Sequence, residues 1–365
     1  MKIERRKTST LQLGPVAVGG NAPVSVQTMT KCDTRDTEAC LAQLRSVAEL
    51  GCDIARLAVP DAEAAQALRT VRAHSPLPLV ADIHFDHKLA ITALDAGMDG
   101  LRINPGNIGG DNKLREVVQA AQERKAPIRI GVNAGSLEKD LLHKHGGATA
   151  EAMVESALRH VHLLEDCGYD QIKVSVKASD VPRTLAAYRS LARQTRYPLH
   201  LGVTEAGTFL PGAVRSSVAL GCLLSEGIGD TLRVSLTDTP EREVRTGLEL
   251  LRCLGLREPG PSVVSCPACG RKAVDVQAVA EQVESALHKL YCGQTDMPRP
   301  IVAVMGCRVN GPGEAREADI ALAGGSGKFA LYVNGVFAKT VPESKAVDSL
   351  LDYVIGWQES MRSRL

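Results

Sequence analysis

Between residues 24 and about 254 the chain alternates short apolar runs with longer stretches in which apolar residues recur every three or four positions. That alternation is what βα units and a parallel sheet require, since strands buried on both faces read as brief Val/Ile/Leu runs and the covering helices as amphipathic ones. Candidate strands fall at 24–28, 54–59, 79–83, 100–104, 128–132, 171–176, 199–203 and 231–236. Each is followed by a plausible helix. Residues 149–167 place Met153, Ala157, Leu158, Val161 and Leu164 along one helical face. Thr239, Pro240 and Glu241 read as the N-cap, N1 proline and first-turn acid of the last of these helices. Eight units in this length predict a TIM (β/α)8 barrel, with an open doubly wound sheet as the competing architecture.

Strand parity then carries chemical information, because a barrel strand sends alternate side chains to the interior. In 171–177 the apolar Ile172, Val174 and Val176 alternate with Lys173, Ser175 and Lys177. By the same rule Asp82 and His84, Arg102 and Asn104, Arg129 and Asn133, His200 and Thr204, and Arg233 and Ser235 face the axis, and Glu205 follows directly. Arg129 lies early in its strand, where an ordinary salt-bridged interior is an equal reading. Late positions belong to the C-terminal mouth, where this fold keeps its active sites. Arg56, Arg102, Lys173, Lys177 and Arg233 converging there describe a pocket for a strongly anionic small molecule such as a phosphate or diphosphate. Asp82, His84 and Glu205 would supply proton transfer or hydroxyl recognition.

Glu258-Pro-Gly-Pro-Ser262 combines helix breakers with no apolar pattern and reads as a linker. The expected organisation is therefore a barrel over 1–257, a linker over 258–262 and a small α/β domain over 263–365. Within that domain 273–291 reads as a helix and 301–305 as a strand. Residues 329–333 and 336–338 read as a hairpin about Asn334-Gly335, and 343–362 as a closing helix entered through Pro342.

The net charge of +1 and an aromatic share of 3% leave neither a basic stripe nor stacking platforms for nucleic acid. No apolar run approaches the roughly 20 residues of a membrane span. Ten cysteines behind a polar opening point to a reducing cytoplasm. Three of the cysteines stand out: Cys266-Pro-Ala-Cys269, and Cys307 after an apolar run, with Gly311-Pro312-Gly313 turning the chain back toward Glu314. Thiolates in this pattern favour an iron-sulfur cluster or zinc. An oxygen ligand from Glu314 would be weak and exchangeable, which points to chemistry at one iron. Structural zinc with Cys292 as a fourth thiolate is the alternative. A thioredoxin-like redox pair would leave the third cysteine idle.

The stretches beginning at Gly19 (GGNAPVSVQ), Ala81 (ADIHFD), Leu101 (LRINPGNIG), Gly131 (GVNAGSLE), Lys173 (KVSVKAS), Thr204 (TEAG) and Gly227 (GIGDTLRVSL) occur in that order. Together with the cysteine motifs they strongly resemble the bacterial 4-hydroxy-3-methylbut-2-enyl diphosphate synthase family. The resemblance implies a TIM barrel joined to a [4Fe-4S] domain in the non-mevalonate isoprenoid pathway. The cluster ligands would be Cys266, Cys269, Cys307 and Glu314. The substrate would be 2-C-methyl-D-erythritol 2,4-cyclodiphosphate, reduced with electrons from flavodoxin or a ferredoxin. It also implies a homodimer in which the cluster domain of one subunit caps the barrel of the other. On this reading Arg56, Arg102, Lys173, Ser175, Lys177, Arg233 and Ser235 hold the diphosphate, with His84, Asn104 and Asn133 orienting it and Asn310 reaching from the cluster loop. Glu205 is the expected proton donor, with Asp82 second. Arg308 departs from the apolar residue usual after the third cysteine and is expected to point to solvent.

Two other classes fit parts of the pattern. A phosphosugar aldolase or isomerase would use Lys173 or Lys177 as a Schiff base with zinc stapling the tail. A zinc-module binding protein would leave the inward cations unexplained.

Overall fold

Eight parallel strands form the sheet at the centre of the first unit, and a hairpin absent from the sequence reading precedes them. The structure is a computed structural model that describes residues 3–104, 108–257, 262–291, 297–307, 313 and 317–362. Cys292, Arg308, Asn310 and Glu314 lie outside the described residues. The chain divides into two compact units, Met1–Arg257 and Glu258–Leu365.

The hairpin comprises β1 (Thr10–Leu13) and β2 (Val16–Gly19). It turns at Gly14 with φ +57°, a left-handed conformation suited to glycine. Its Leu13 and Val18 pack with Ile54 and Val80, the first inward-facing residues of their strands, and so form an apolar floor to the barrel. A four-residue strand with one buried face is too short for its alternation to stand out in sequence.

The barrel strands are β3 (Ser25–Met29), β4 (Ile54–Ala58), β5 (Leu79–Asp82), β6 (Gly100–Ile103), β7 (Ile128–Asn133), β8 (Ile172–Lys177), β9 (His200–Leu201) and β10 (Thr231–Leu232). Their order is β8-β7-β6-β5-β4-β3-β10-β9, and a single parallel bridge from Val174 to Leu199 joins the two ends. Helices α1 (Thr37–Glu49), α2 (Ala62–His74), α3 (His87–Asp95), α4 (Asp111–Arg124), α5 (Lys139–His145), α6 (Ala150–Glu165), α7 (Val181–Gln194), α8 (Phe209–Ser225) and α9 (Pro240–Cys253) follow in turn. The outward strand residues and the apolar helix faces share one core, including Leu57, Ala81, Ile103, Ile130, Val174, Leu201 and Leu232. The barrel prediction is met.

Helix α6 lies within the expected 149–167 and is capped by Thr149, whose side chain accepts from the Ala152 N–H, whereas Thr239 stands at the N-cap of α9 as expected but makes no side-chain cap bond. Strands β9 and β10 are much shorter than the predicted 199–203 and 231–236. One further bond, Arg233 N–H to Leu201 O at 3.0 Å, continues the ladder before the chains diverge toward the mouth. On α6, His160 is 2% exposed and pairs with Glu138 through Nε2 at 3.1 Å.

In the second unit β11 (Ser262–Ser265), β12 (Ile301–Met305), β13 (Ile320–Gly325), β14 (Lys328–Val333) and β15 (Val336–Pro342) form one sheet in sequence order. The first three are parallel and the last two antiparallel. Helices α10 (Val276–Tyr291) and α11 (Ala346–Arg362) cover it through Val283, Leu287, Leu350 and Val354, packed with Phe329 and Leu331. Asn334 and Gly335, both at positive φ, make the hairpin turn between β14 and β15. Strand β13 escaped the sequence reading because its IALAGG sequence is poor in the branched and aromatic residues that mark strands.

Candidate active site

Adjacent strands of the barrel align their inward residues. Asp82 is the register partner of Arg102, Arg102 of Arg129, and Arg129 of Lys173, so one row of charge crosses four strands. Arg102 donates from Nη1 to Asp82 Oδ1 at 3.1 Å and lies 2.8 Å from Nε2 of His84. Arg56 Nε approaches Asp82 Oδ2 to 3.7 Å, and the same guanidinium donates from Nη2 to the Met29 thioether at 3.0 Å.

Asp82 thus sits among cations. Burial opposes its charge most, but Arg56, the His84 hydrogen bond, Arg102 and Arg129 together hold it well below the usual carboxylate range. The cations are pressed the other way. Burial lowers Arg56 to about 10 and Lys173 to about 7, and burial with the neighbouring Arg129 and Arg56 pushes Lys177 well below the usual lysine range. Arg129, which salt-bridging would explain, forms no ion pair with Asp82 or any other described residue. Its Nε and Nη1 are buried without a hydrogen-bond partner, as are the Gln27 amide and His200 Nε2. Buried guanidinium donors left in this state, as on Arg129, call for a polar or anionic guest.

Two glycines make room for this charge. A Cβ on Gly131 would lie 2.5 Å from Arg102 Nε, and one on Gly202 would lie 2.5 Å from Lys177 Nζ. Ser175 commits its hydroxyl proton to Ile130 O at 3.3 Å and is buried. Asn104 is also buried, whereas Asn133 at the end of β7 and Arg233 and Ser235 just past β10 are half-buried. Glu205 is exposed just beyond β9 and holds φ at +52°, a left-handed conformation that costs a non-glycine residue on the order of 1 kcal/mol.

Sequence reasoning missed Glu243. Only 1% exposed, it accepts from Thr28 Oγ1 at 2.9 Å, Arg233 Nη2 at 3.2 Å and the Leu236 N–H at 2.9 Å, and it pairs with Lys31 Nζ at 2.9 Å. The available signal was an acid in the first turn of the helix that follows the Arg233 strand.

The second unit holds the three thiols expected to ligate a cluster. Cys266 follows β11 and Cys307 lies two residues past β12, and the parallel register pairs Ser265 with Val304, so both leave the same end of adjacent strands. Cys266 Sγ accepts the Gly306 N–H at 3.2 Å, and Ala268 turns the Cys266–Cys269 loop at φ +51°. Cys266, Cys269 and Cys307 are thiols rather than disulfides. Among the described residues no three His, Cys, Asp or Glu side chains converge on one metal-sized point. The donor chemistry nevertheless fits a thiolate-held iron-sulfur group, with Cys266 already accepting a backbone N–H as cluster-ligating sulfurs do. Glu314, the remaining expected ligand, is among the residues not described.

No helix among the described residues is long and apolar enough to cross a membrane. Residues 8–248 match the GcpE TIM-barrel domain and residues 262–355 the GcpE protein C-terminal domain. A curated relative from Geobacter sulfurreducens, named 4-hydroxy-3-methylbut-2-en-1-yl diphosphate synthase (flavodoxin), is 57% identical over 95% of this chain and 97% of its own. Relatives of the same name from Desulfotalea psychrophila and Symbiobacterium thermophilum are 54% and 51% identical, each over 96% of this chain and 95% and 94% of their own. Matched in both of its domains and along nearly its whole length, the chain belongs to the GcpE family.

Proposed function

We propose that this chain is a 4-hydroxy-3-methylbut-2-enyl diphosphate synthase, acting on 2-C-methyl-D-erythritol 2,4-cyclodiphosphate with flavodoxin as electron donor. The observation that carries the reading is the inward row of cations, whose charge exceeds that of Asp82 and Glu243 and whose unsatisfied donors suit a diphosphate. The name shared by the relatives supports both substrate and donor.

The reaction breaks the C2–O bond to the ring phosphate and expels the C3 hydroxyl as water, leaving a C2–C3 double bond and the diphosphate on the former C4. Counted on the neutral acids, it consumes two electrons and two protons. A [4Fe-4S] cluster held by Cys266, Cys269, Cys307 and Glu314 would supply the electrons singly. Arg56, Arg102, Lys173, Lys177 and Arg233 bind and neutralise the diphosphate, so that charge left on the leaving phosphate oxygen is met as it develops. Ser235, Asn104, Asn133 and His84 orient the hydroxyls, and Asn310 is assigned to the cluster loop. Asp82 stays ionised and holds Arg56 and Arg102 in place. The exposed Glu205 Oε is then the proton donor to the departing hydroxyl. In this reading the two sites belong to opposite subunits of a homodimer.

The test is anaerobic purification followed by iron and sulfide analysis and turnover with reduced flavodoxin. About four irons and four sulfides per chain, with product formed from the cyclic diphosphate, is the expected result. Zinc without sulfide, and no turnover, would overturn the reading.

A further inference from the structure

We infer that Glu243 is a positioning residue that fixes the Arg233 guanidinium for its anionic ligand without touching that ligand itself. The inference rests on the reading of the barrel as a diphosphate site. Arg233 stands one residue past β10, beyond the two register pairs, Thr231 with Ser25 and Leu232 with Val26, that join β10 to β3. On that side the backbone ladder therefore ends before the side chain that matters.

Glu243 takes over the connection. Its Oε2 accepts from Arg233 Nε at 3.3 Å and from Thr28 Oγ1 at 2.9 Å, and its Oε1 accepts from Arg233 Nη2 at 3.2 Å and from the Leu236 N–H at 2.9 Å. Lys31 Nζ adds an ion pair at 2.9 Å while donating to Leu236 O at 2.6 Å and to Asp238 O. The carboxylate is thus filled by donors from the ends of β3 and β10. The Nε and Nη2 edge of Arg233 is engaged as a fork, so the Nη1 side is the one turned away from Glu243. Arg233 is 14% exposed in its side chain against 1% for Glu243, which leaves the arginine, not the carboxylate, accessible from the mouth. The neighbouring negative charge also lets one more cation sit among Arg56, Arg102 and Lys177 without an equal rise in repulsion.

Glu243→Gln keeps the shape but presents an amide to donors. With inorganic pyrophosphate as probe in calorimetry, the variant should bind about tenfold more weakly than wild type. In an Arg233→Ala background the same change should weaken binding less than twofold further. With the cyclic diphosphate, KM should rise about tenfold while kcat stays within about threefold. Glu243→Asp should recover part of the loss, and it carries the comparison if Glu243→Gln does not fold. An equal loss with and without Arg233, or no pyrophosphate binding by wild type, would overturn the inference. Failure to turn over the cyclic diphosphate while the Arg233-dependent pyrophosphate effect persists would sink the assigned reaction and leave the positioning role standing.

Discussion

Lys177 and Gly202 form a pair in which one side chain occupies the space a side chain on the other would need. A Cβ on Gly202 would lie 2.5 Å from Lys177 Nζ and 2.9 Å from Arg233 O. The ammonium could swing aside, but the Arg233 carbonyl is backbone and cannot. Gly202→Ala should therefore destabilise the barrel by about 1–3 kcal/mol, the usual overpacking range. It should also raise KM for the cyclic diphosphate at least tenfold, because Lys177 and Arg233 are displaced together. Thermal unfolding and steady-state kinetics on the holoenzyme check both. An alanine variant with unchanged melting temperature and KM would show that the crowding is relieved elsewhere.

Asp82 provides a pH-resolved case. It is buried against Arg56 and Arg102, and its carboxyl is held well below the ordinary value. Asp82→Asn leaves both guanidinium groups without their counter-charge and should cost about 3 kcal/mol at pH 7. The sign follows from linkage. A carboxyl lowered in the folded state contributes stability that is present above its unfolded value of about 4 and lost as pH falls toward the folded value. The stability gap between wild type and Asp82→Asn should be flat from pH 8 to 5 and narrow below about pH 4. Denaturant unfolding across that series tests it, and a gap unchanged at pH 3 would exclude the linkage.

The same pair shows what sequence could and could not supply. Period-two alternation put Asp82 and Arg102 on the inner face, because strand parity is a local property. That both face Arg129 and Lys173 in one row depends on register between strands, which alternation does not encode. Glu243 was out of reach for a related reason: it lies on α9 and acts on residues as distant in sequence as Thr28 and Lys31. The floor hairpin was missed because β1 and β2 are four residues each, too short for a periodic signal.

Lys173 should report ligand binding through protons. Burial chiefly, with Arg129 adding repulsion and Asp230 opposing, lowers its ammonium to about 7. A base lowered on folding destabilises the fold most below that value, and this cost fades as pH rises from about 7 to 10.5. A bound polyanion favours the charged form, so at pH 8 the protein should take up protons when pyrophosphate binds, and affinity should fall as pH rises through 7 to 9. Calorimetry at pH 8 in buffers of different ionisation enthalpy gives the number taken up. Lys173→Met should reduce it by about half a proton or more. Equal uptake in both proteins would assign the protons to other groups.

The thiols can be separated from the barrel by the same probe. Cys266 follows β11 in a unit with its own sheet and core, whereas the cations belong to the barrel. Removing one thiolate ligand from a four-iron group exposes an iron to solvent and loosens the whole cluster. Cys266→Ser, purified without oxygen, should carry well under half the wild-type iron and sulfide, lose the broad visible absorption and show no turnover. Its pyrophosphate affinity should stay within about twofold of wild type, since the serine leaves Arg56, Arg102, Lys173 and Lys177 untouched. Full iron content in this variant would remove Cys266 from the ligand set. A pyrophosphate affinity lost along with the iron would show that the anion site is not built by the barrel alone.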